Sequence, residues 1–381
     1  MKNKLHYQFW PAKLTKTLTV PETTLYENLQ TTAKRYPNKI AIQYYGASIT
    51  YEQLLKEVEQ LAGYLEHELR INKGDHVLLF MQNSPQFLIS LFAIVRVRAV
   101  VIPINPMSVT DELKFYIDDA HIKSALVSQE LYPKVKPLHD EGLLDDVIVT
   151  AYSEYVNETK TLDELPPEMV FPLEEDDRMI AWSDAISYDK CASVYEGGVQ
   201  DIAMIPYTSG TTGKPKGCVH TNETIQSNIV GSYHWMNMTS DSVILTTLPL
   251  FHVTGLVHSA LAPMYAGSEM ALLTRWDKEY AIKAIETFKV THWINISTML
   301  IDFLSNEELE SYDVSSLVLV GGGGAPLPEA IGKKLQETTG LDYVEGYGLS
   351  ETMSHTHFNP PQRPKLQCLG IPAFSVDARI I

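Results

Sequence analysis

The sequence predicts an α/β protein of two stacked αβα subdomains with mostly parallel sheets. Short apolar strands alternate with segments of helical periodicity from Ile40 onward, which is typical of helices packed on a parallel sheet. The chain has 381 residues and is 45% hydrophobic, so it is long enough for two large cores. This composition is that of a globular protein rather than a disordered or fibrous one.

The elements of the first half follow from apolar runs and their spacing. Strands are predicted over 40–45, 76–80, 99–104 and 123–127, and helices after Thr50, over 87–95 and from Asp111 through Ile117. The run 87–95 ends at Arg96 and is about half as long as a bilayer crossing requires. We therefore expect a buried helix there and no integral membrane segment.

The second half repeats the alternation. Strands are predicted over 201–207, 243–248, 290–295 and 317–320, and helices over 221–235 and 277–288. The segment 140–190 is acidic and irregular and contains two consecutive prolines, so a subdomain boundary is expected there. The predicted subdomains cover 1–195 and 196–355, and 356–381 is expected to begin an incomplete β-rich subdomain.

Charge and cysteine content exclude some classes of protein. Thirty Lys and Arg against 47 Asp and Glu give a net charge of −17, which disfavours nucleic acid as a partner. Three separated cysteines support neither a disulfide framework nor a zinc site, and residues 1–20 contain no apolar signal core. We expect a cytoplasmic protein.

The segment 207–217 reads Tyr-Thr-Ser-Gly-Thr-Thr-Gly-Lys-Pro-Lys-Gly and predicts a loop that binds phosphate. Its glycines allow backbone N–H groups to approach an anion, its hydroxyl side chains add donors, and Lys214 and Lys216 add positive charge. The spacing differs from a Walker loop, and Pro215 stands where that loop has Ser or Thr. A flexible surface loop is the alternative, disfavoured by its place between an apolar strand and a helix.

A second glycine-rich turn follows the predicted strand 317–320. Residues 321–327 read Gly-Gly-Gly-Gly-Ala-Pro-Leu, which places glycines at the carboxyl end of a strand, where open α/β sheets bind ligands. The dinucleotide fingerprint would require glycine at position 327, which is Leu327. The turn is therefore predicted to form part of a ligand site of another kind.

Two more motifs stand at predicted strand ends: Leu-Pro-Leu-Phe-His at 248–252 and Glu-Gly-Tyr-Gly-Leu-Ser-Glu-Thr at 345–352. These four motifs, in this order, resemble the acyl-adenylate-forming (AMP-binding) superfamily, which includes acyl-CoA synthetases, luciferases and peptide-synthetase adenylation domains. The resemblance covers nearly the whole chain. It implies an AMP-forming ligase, such as a long-chain fatty-acid-CoA ligase, that converts a carboxylic acid and ATP to acyl-AMP and passes the acyl group to CoA.

The resemblance also assigns roles to residues. It implies that ATP phosphates bind Thr208, Ser209, Gly210, Thr211, Thr212, Gly213, Lys216 and Ser350, and that the rest of the nucleotide binds Gly324, Ala325, Glu345, Gly346 and Tyr347. Glu351 would hold Mg²⁺, and Thr212, Lys216, His252 and Glu351 would be catalytic. The alternatives are a solvated helix-start carboxylate for Glu351 and core packing for Tyr347 and His252.

The same resemblance places the acid in a pocket between the helix after His252 and residues 291–298. The residues expected to line it are His252, Val253, Leu256, Trp293, Ile296 and Gly323. This lining is mostly apolar and has no acidic side chain to hold an amino group, which favours fatty or aryl acids over amino acids. Core packing is the alternative for each apolar member.

The family continues through a ribose-binding Thr-Gly-Asp segment, a hinge and a mobile domain with a catalytic lysine, which we expect to be absent from this chain. The sequence leaves open whether Ile381 is the natural end. It also leaves open the length of the acid, CoA or a carrier-protein thiol as acceptor, and homodimer formation. The remaining alternative is a nucleotide-binding fragment without catalysis.

Overall fold

The computed structural model describes residues 4–174, 176–208 and 213–379. The chain forms two compact units, one from Glu22 to Glu223 and one that joins Met1–Pro21 to Thr224–Ile381. Each has a sheet whose strands are largely parallel, which confirms the predicted α/β class. This division does not coincide with the predicted bounds at 195 and 355, which stay predictions.

In the unit Glu22–Glu223, seven strands form one sheet in the order β11-β8-β4-β3-β5-β6-β7, parallel except for β11. Two antiparallel pairs, β1 with β2 and β9 with β10, complete its strands. The strands are β1 Ile40–Tyr44, β2 Ala47–Thr50, β3 His76–Phe80, β4 Val100–Pro103, β5 Ser124–Ser128, β6 Asp146–Thr150, β7 Ile180–Ala181, β8 Ile202–Met204, β9 Tyr207–Thr208, β10 Lys216–Gly217 and β11 His220–Thr221.

The helices of this unit are α1 Leu25–Arg35, α2 Tyr51–His67, α3 Pro85–Arg96, α4 Thr110–Asp119, α5 Tyr132–Asp140 and α6 Trp182–Ile186. The apolar helix α3 is buried along its whole length, as the sequence predicted. It begins where the Ser84 hydroxyl accepts a hydrogen bond from the Phe87 N–H, with Pro85 in the first turn, where no N–H is required.

The acidic segment 140–190 lies inside this unit. Strand β6 pairs in parallel register with β5, Ser124 opposite Asp146 and Ser128 opposite Thr150. The apolar residues of β6 are buried, so this strand belongs to the sheet core despite its acidic surroundings. The expected subdomain boundary in this segment therefore does not appear as a break between compact units.

The second unit has one sheet in the order β18-β17-β16-β15-β14-β12-β13, in which β12 to β16 are parallel and β17 and β18 are antiparallel. The strands are β12 Val243–Thr246, β13 Glu269–Leu272, β14 His292–Asn295, β15 Leu319–Gly322, β16 Val344–Leu349, β17 Ser354–Phe358 and β18 Ile371–Pro372. The segment expected to begin a third subdomain thus extends this sheet through β18 and part of β17.

The chain continues from β11 into α7 Asn222–Trp235, and α8 Val253–Leu256, α9 Ala262–Ala266, α10 Lys278–Phe288, α11 Ser297–Leu304 and α12 Glu329–Thr339 follow. One turn of π-helix, Val257–Leu261, joins α8 to α9. Within the described ranges, no helix has the length and apolar character that a membrane crossing needs.

Candidate active site

The predicted phosphate loop is framed by the antiparallel pair β9 and β10. Lys216 lies opposite Thr208, and the Thr208 hydroxyl donates a hydrogen bond of 3.4 Å to the Lys216 carbonyl. Gly213, Lys214 and Lys216 are exposed. Two lysines and one threonine therefore lie near the ends of the loop, where their side chains can bind an anion. Ser209, Gly210, Thr211 and Thr212 lie outside the described residues.

The second unit contains a cavity of about 200 Å³ beside the carboxyl ends of β15 and β16. Its exposed lining residues, which form the mouth, include His252, Gly324 and Tyr347. Its buried lining residues form an inner wall of Trp235, Met236, His258, Ile294, Leu319, Val344, Ser354, His355 and Phe358. A concave, mostly apolar site at strand ends is where a parallel α/β sheet binds small molecules.

His252 caps the N-terminus of α8 at the cavity mouth. Its Nδ1 accepts a hydrogen bond of 3.3 Å from the Thr254 N–H, so the proton of the neutral ring is on Nε2. Solvent reaches the ring, but the packing around it lowers the pKa of His252 through desolvation. His252 therefore presents a neutral N–H donor at the mouth.

Glycines form the wall between the mouth and the sheet. A Cβ at Gly322 would lie 1.9 Å from the Asn295 carbonyl oxygen, and a Cβ at Gly323 would lie 2.6 Å from the Gly346 carbonyl oxygen. Gly324 has a φ of +87°, which favours glycine. Ala325 is exposed next to it. The backbone itself thus forms the rim, and a ligand can approach it closely.

Tyr347, Ser350 and Glu351 follow on β16 and the 3-10 turn Ser350–Thr352. Tyr347 is 41% exposed although it is aromatic, and its glycine neighbours leave its ring open to a planar ligand. The Glu351 carboxylate is exposed. No group of three or more His, Cys, Asp or Glu in the described part of the chain could hold a metal alone. Glu351 fits Mg²⁺ that is shared with phosphate and water oxygens.

Glu345 has a different environment. Its side chain is 5% exposed, and its two carboxylate oxygens accept hydrogen bonds from the Leu327 N–H (2.7 Å) and the Cys368 N–H (2.9 Å). These bonds tie the end of the glycine turn to the segment before β18. Glu345 is thus a buried structural residue that holds the backbone behind the predicted nucleotide pocket.

Of the residues predicted to bind the acid, His252 and Gly323 line the cavity and the others do not. Val253, Leu256 and Trp293 are buried in the core, and the Trp293 indole donates a hydrogen bond of 3.0 Å to the Thr247 hydroxyl. Ile296 is 40% exposed. Trp293 lies in the core because its strand, β14, is buried on both faces.

Sequence reasoning missed the inner wall. His258 follows His252 by six residues, and Ser354 and His355 come one residue after the motif 345–352, so all three lie near segments that the sequence singled out. Nothing local indicates that His258 and Ser354 touch, because they are 96 residues apart in the chain. Trp235 ends a helix that was predicted, but its side chain direction was not.

These features define a class of α/β protein that binds a small ligand beside glycine-rich strand ends. The chain belongs to the AMP-binding enzyme family, which matches residues 29–381. It is 30% identical to a long-chain-fatty-acid–CoA ligase of Bacillus subtilis over 97% of this chain and 68% of that protein.

Solved structures agree on the fold. An anthranilate CoA ligase in complex with anthranoyl-AMP matches with a TM-score of 0.81 and 22% identity, over 93% of this chain and 65% of that one. A long-chain-fatty-acid-CoA ligase from Archaeoglobus fulgidus matches with a TM-score of 0.79 and 23% identity, over 94% of this chain and 70% of that one. The chain spans about two thirds of the length of the curated relatives it matches, 68% and 66% for two of them.

Proposed function

We propose that the protein activates a fatty or aryl carboxylic acid with ATP to give acyl-AMP, and that the acyl group then passes to the thiol of CoA. The observation that carries the proposal is the cavity, whose mouth combines the neutral imidazole of His252, glycine backbone at Gly324 and the exposed ring of Tyr347. The names of the Bacillus and Archaeoglobus relatives support CoA as the acceptor.

The residues divide the chemistry as follows. Lys216 and Thr208, with the rest of the loop, bind the phosphates of ATP, since ammonium groups and hydroxyls make charge-assisted hydrogen bonds to phosphate oxygens. Tyr347 stacks on adenine. The His252 N–H orients the carboxylate, so that an oxygen of the acid attacks the α-phosphorus and pyrophosphate leaves. Bound Mg²⁺, held by Glu351, would neutralise phosphate charge during this attack.

The acid class follows from the lining. None of the described residues that line the cavity has a charged side chain, so nothing there balances an ammonium group. Burial of an unpaired ammonium costs several kcal/mol, on the order of a thousandfold or more in rate. We therefore propose fatty or aryl acids as substrates and exclude zwitterionic amino acids.

The test is acid-dependent ATP–pyrophosphate exchange by the 381-residue chain, with fatty, aryl and amino acids, followed by detection of the acyl-CoA. Glu351→Gln should reduce magnesium-dependent exchange. Glu310→Gln is a matched control, because Glu310 is also an exposed glutamate in the middle of a 3-10 turn. Exchange that survives Glu351→Gln, or a preferred amino acid, would contradict the proposal. Transfer to a carrier-protein thiol in place of CoA would correct the acceptor.

A cytoplasmic location is part of this proposal, because ATP and CoA are intracellular substrates and none of the described cysteines, Cys191, Cys218 and Cys368, forms a disulfide. Sedimentation of the purified chain tests whether the protein forms a homodimer.

A further inference from the structure

One residue of the inner wall lies where the regular α-helix geometry is interrupted. Pro263 has no N–H to donate to the carbonyl of Ser259, four residues earlier, and that carbonyl instead accepts a hydrogen bond of 2.7 Å from the Thr246 hydroxyl of β12. The chain forms a π-turn over Val257–Leu261, two residues before Pro263. This turn carries His258 on the cavity wall.

His258 bridges two serine hydroxyls. Its Nδ1 lies 2.8 Å from Ser232 Oγ, and its Nε2 lies 2.9 Å from Ser354 Oγ. A neutral imidazole has one donor and one acceptor, so Ser354 either donates to His258 or accepts from it. In both cases Ser354 Oγ keeps a hydrogen-bonding capacity that His258 does not use. Ser354 lines the cavity and Ser232 does not.

The backbone of Ser354 is strained. Its φ of +98° lies in the region that favours glycine, and its carbonyl accepts a hydrogen bond of 3.0 Å from the Thr352 hydroxyl. Residues kept in such conformations cluster at ligand sites, where the surrounding structure holds them. The serine hydroxyl is thus fixed in place at the wall.

His355 adds a second polar group. No described residue provides a hydrogen bond to its buried Nδ1, and its ring packs on Phe358 with centroids 4.4 Å apart. Burial lowers the pKa of His258 to about 3 and that of His355 well below its ordinary value, with the neighbouring His258 as a smaller cause. Both rings are neutral at physiological pH, so the inner wall is polar but uncharged.

The wall is closed behind these groups by aromatic rings. The Trp235 indole donates a hydrogen bond of 3.0 Å to the Asn359 carbonyl, and Trp10 packs edge-on against Trp235 with centroids 5.0 Å apart. Phe374 contacts both tryptophans. The cavity of about 200 Å³ therefore ends here. An apolar cavity of about 150 Å³ accommodates a benzene ring, and a long fatty acid is far larger than a benzene ring.

We propose that this cavity selects compact carboxylic acids, of one aromatic ring or a short chain, that carry a hydroxyl group at the end remote from the carboxylate, with Ser354 as its partner. A hydroxyl both donates and accepts, so it satisfies Ser354 in either orientation of the His258 bridge. This inference rests on the proposed function and narrows its substrate class away from long-chain fatty acids.

The experiment measures acid affinity and acid activation separately on the 381-residue chain. Calorimetry compares benzoic with 4-hydroxybenzoic acid, cinnamic with 4-hydroxycinnamic acid, and all four with palmitic acid. One neutral hydrogen bond predicts about three- to tenfold tighter binding of each hydroxy acid than of its partner. Palmitic acid should bind more weakly than any of the four.

Variants test the residue. Ser354→Ala should bring the ratio within each pair to about one, since the partner hydroxyl is gone. Ser354→Gly removes the same hydroxyl and fits the positive φ, so it guards against misfolding of the alanine variant. Ser259→Ala is the control, because Ser259 lies in the π-turn that carries His258 and its hydroxyl is buried away from the cavity lining. It should keep the preference.

The outcomes separate this inference from the proposed function. Equal affinity within each pair, a preference unchanged in both Ser354 variants, or tighter binding of palmitic acid would overturn the inference. Pyrophosphate exchange that is fastest with palmitic acid would overturn it too, while supporting the proposed function. Tight, Ser354-dependent binding of hydroxy acids without exchange by any acid would support the inference and contradict the proposed function.

Discussion

The buried imidazole of His355 predicts how the stability of the second unit depends on pH. We choose His355→Leu, which removes the ring and keeps an apolar side chain of similar size. Since the described structure provides no partner for Nδ1, the substitution should change the free energy of unfolding little at pH 7. Any stabilisation there would come from release of an unsatisfied polar group.

At pH 5 the two proteins should differ. In the unfolded chain His355 titrates near its ordinary value of 6.5, whereas burial holds its native pKa well below that value. The unfolded state then binds more protons, so stability falls as pH decreases below 6.5. About 1.5 pH units at about 1.4 kcal/mol each give a loss of at most about 2 kcal/mol for this residue. The variant should escape this loss.

Urea unfolding followed by tryptophan fluorescence measures the effect. Four of the five tryptophans, Trp10, Trp235, Trp276 and Trp293, belong to the unit that contains His355, so the signal reports mainly on that unit. His121→Asn serves as the control, because it removes an exposed imidazole whose positive φ asparagine tolerates. A difference between variant and parent that is the same at pH 5 and pH 7 would refute the reasoning.

Three further predictions follow from particular contacts. Gly348→Ala should destabilise the fold by several kcal/mol, because its Cβ would lie 1.8 Å from the Ser354 carbonyl oxygen, whereas Gly198→Ala has nothing within 4 Å; thermal unfolding compares them. Trp10→Ala should lower the free energy of unfolding by about 3–5 kcal/mol and weaken acid binding, because the Trp10 ring, 7% exposed, packs against Trp235. Urea unfolding and calorimetry measure the two effects, and the absence of both would contradict this role. Lys216→Ala should weaken ATP binding by calorimetry, while Lys333→Ala, an exposed lysine on α12, should not.

Sequence pattern predicted the sheet strands where neighbouring turns are clear. The strand 76–80 has the same bounds in the structure as β3 because it follows a Gly-Asp turn and is apolar and buried after His76. Helix α5 was missed because Pro133 and Pro137 weaken the helical pattern, although the first stands in the first turn, where proline fits. The helix after His252 was expected only from the family resemblance, because the run from Val253 to Ala266 is buried nearly all round and so lacks an exposed polar face.

The candidate site was predictable where chemistry is held by adjacent residues and not where it depends on tertiary contact. Glycine-rich segments predicted the rim, since close backbone approach requires the absence of a Cβ at Gly322 and Gly323. The inner wall joins His258 of the π-turn to Ser354 of β17, and its rotamers and tautomer depend on packing that no short motif encodes.

The separation of a backbone rim from a side-chain inner wall explains how one scaffold can bind different acids. The rim is made of backbone that the sheet fixes, and the Glu345 carboxylate holds its turn by two backbone hydrogen bonds, so the geometry around the reacting carboxylate does not depend on which acid is bound. The inner wall is made of side chains, among them His258 and Ser354. Substitution at His258 or Ser354 can therefore change which acid fits while leaving the rim intact, provided that the replacement fills the same space between α7 and β17.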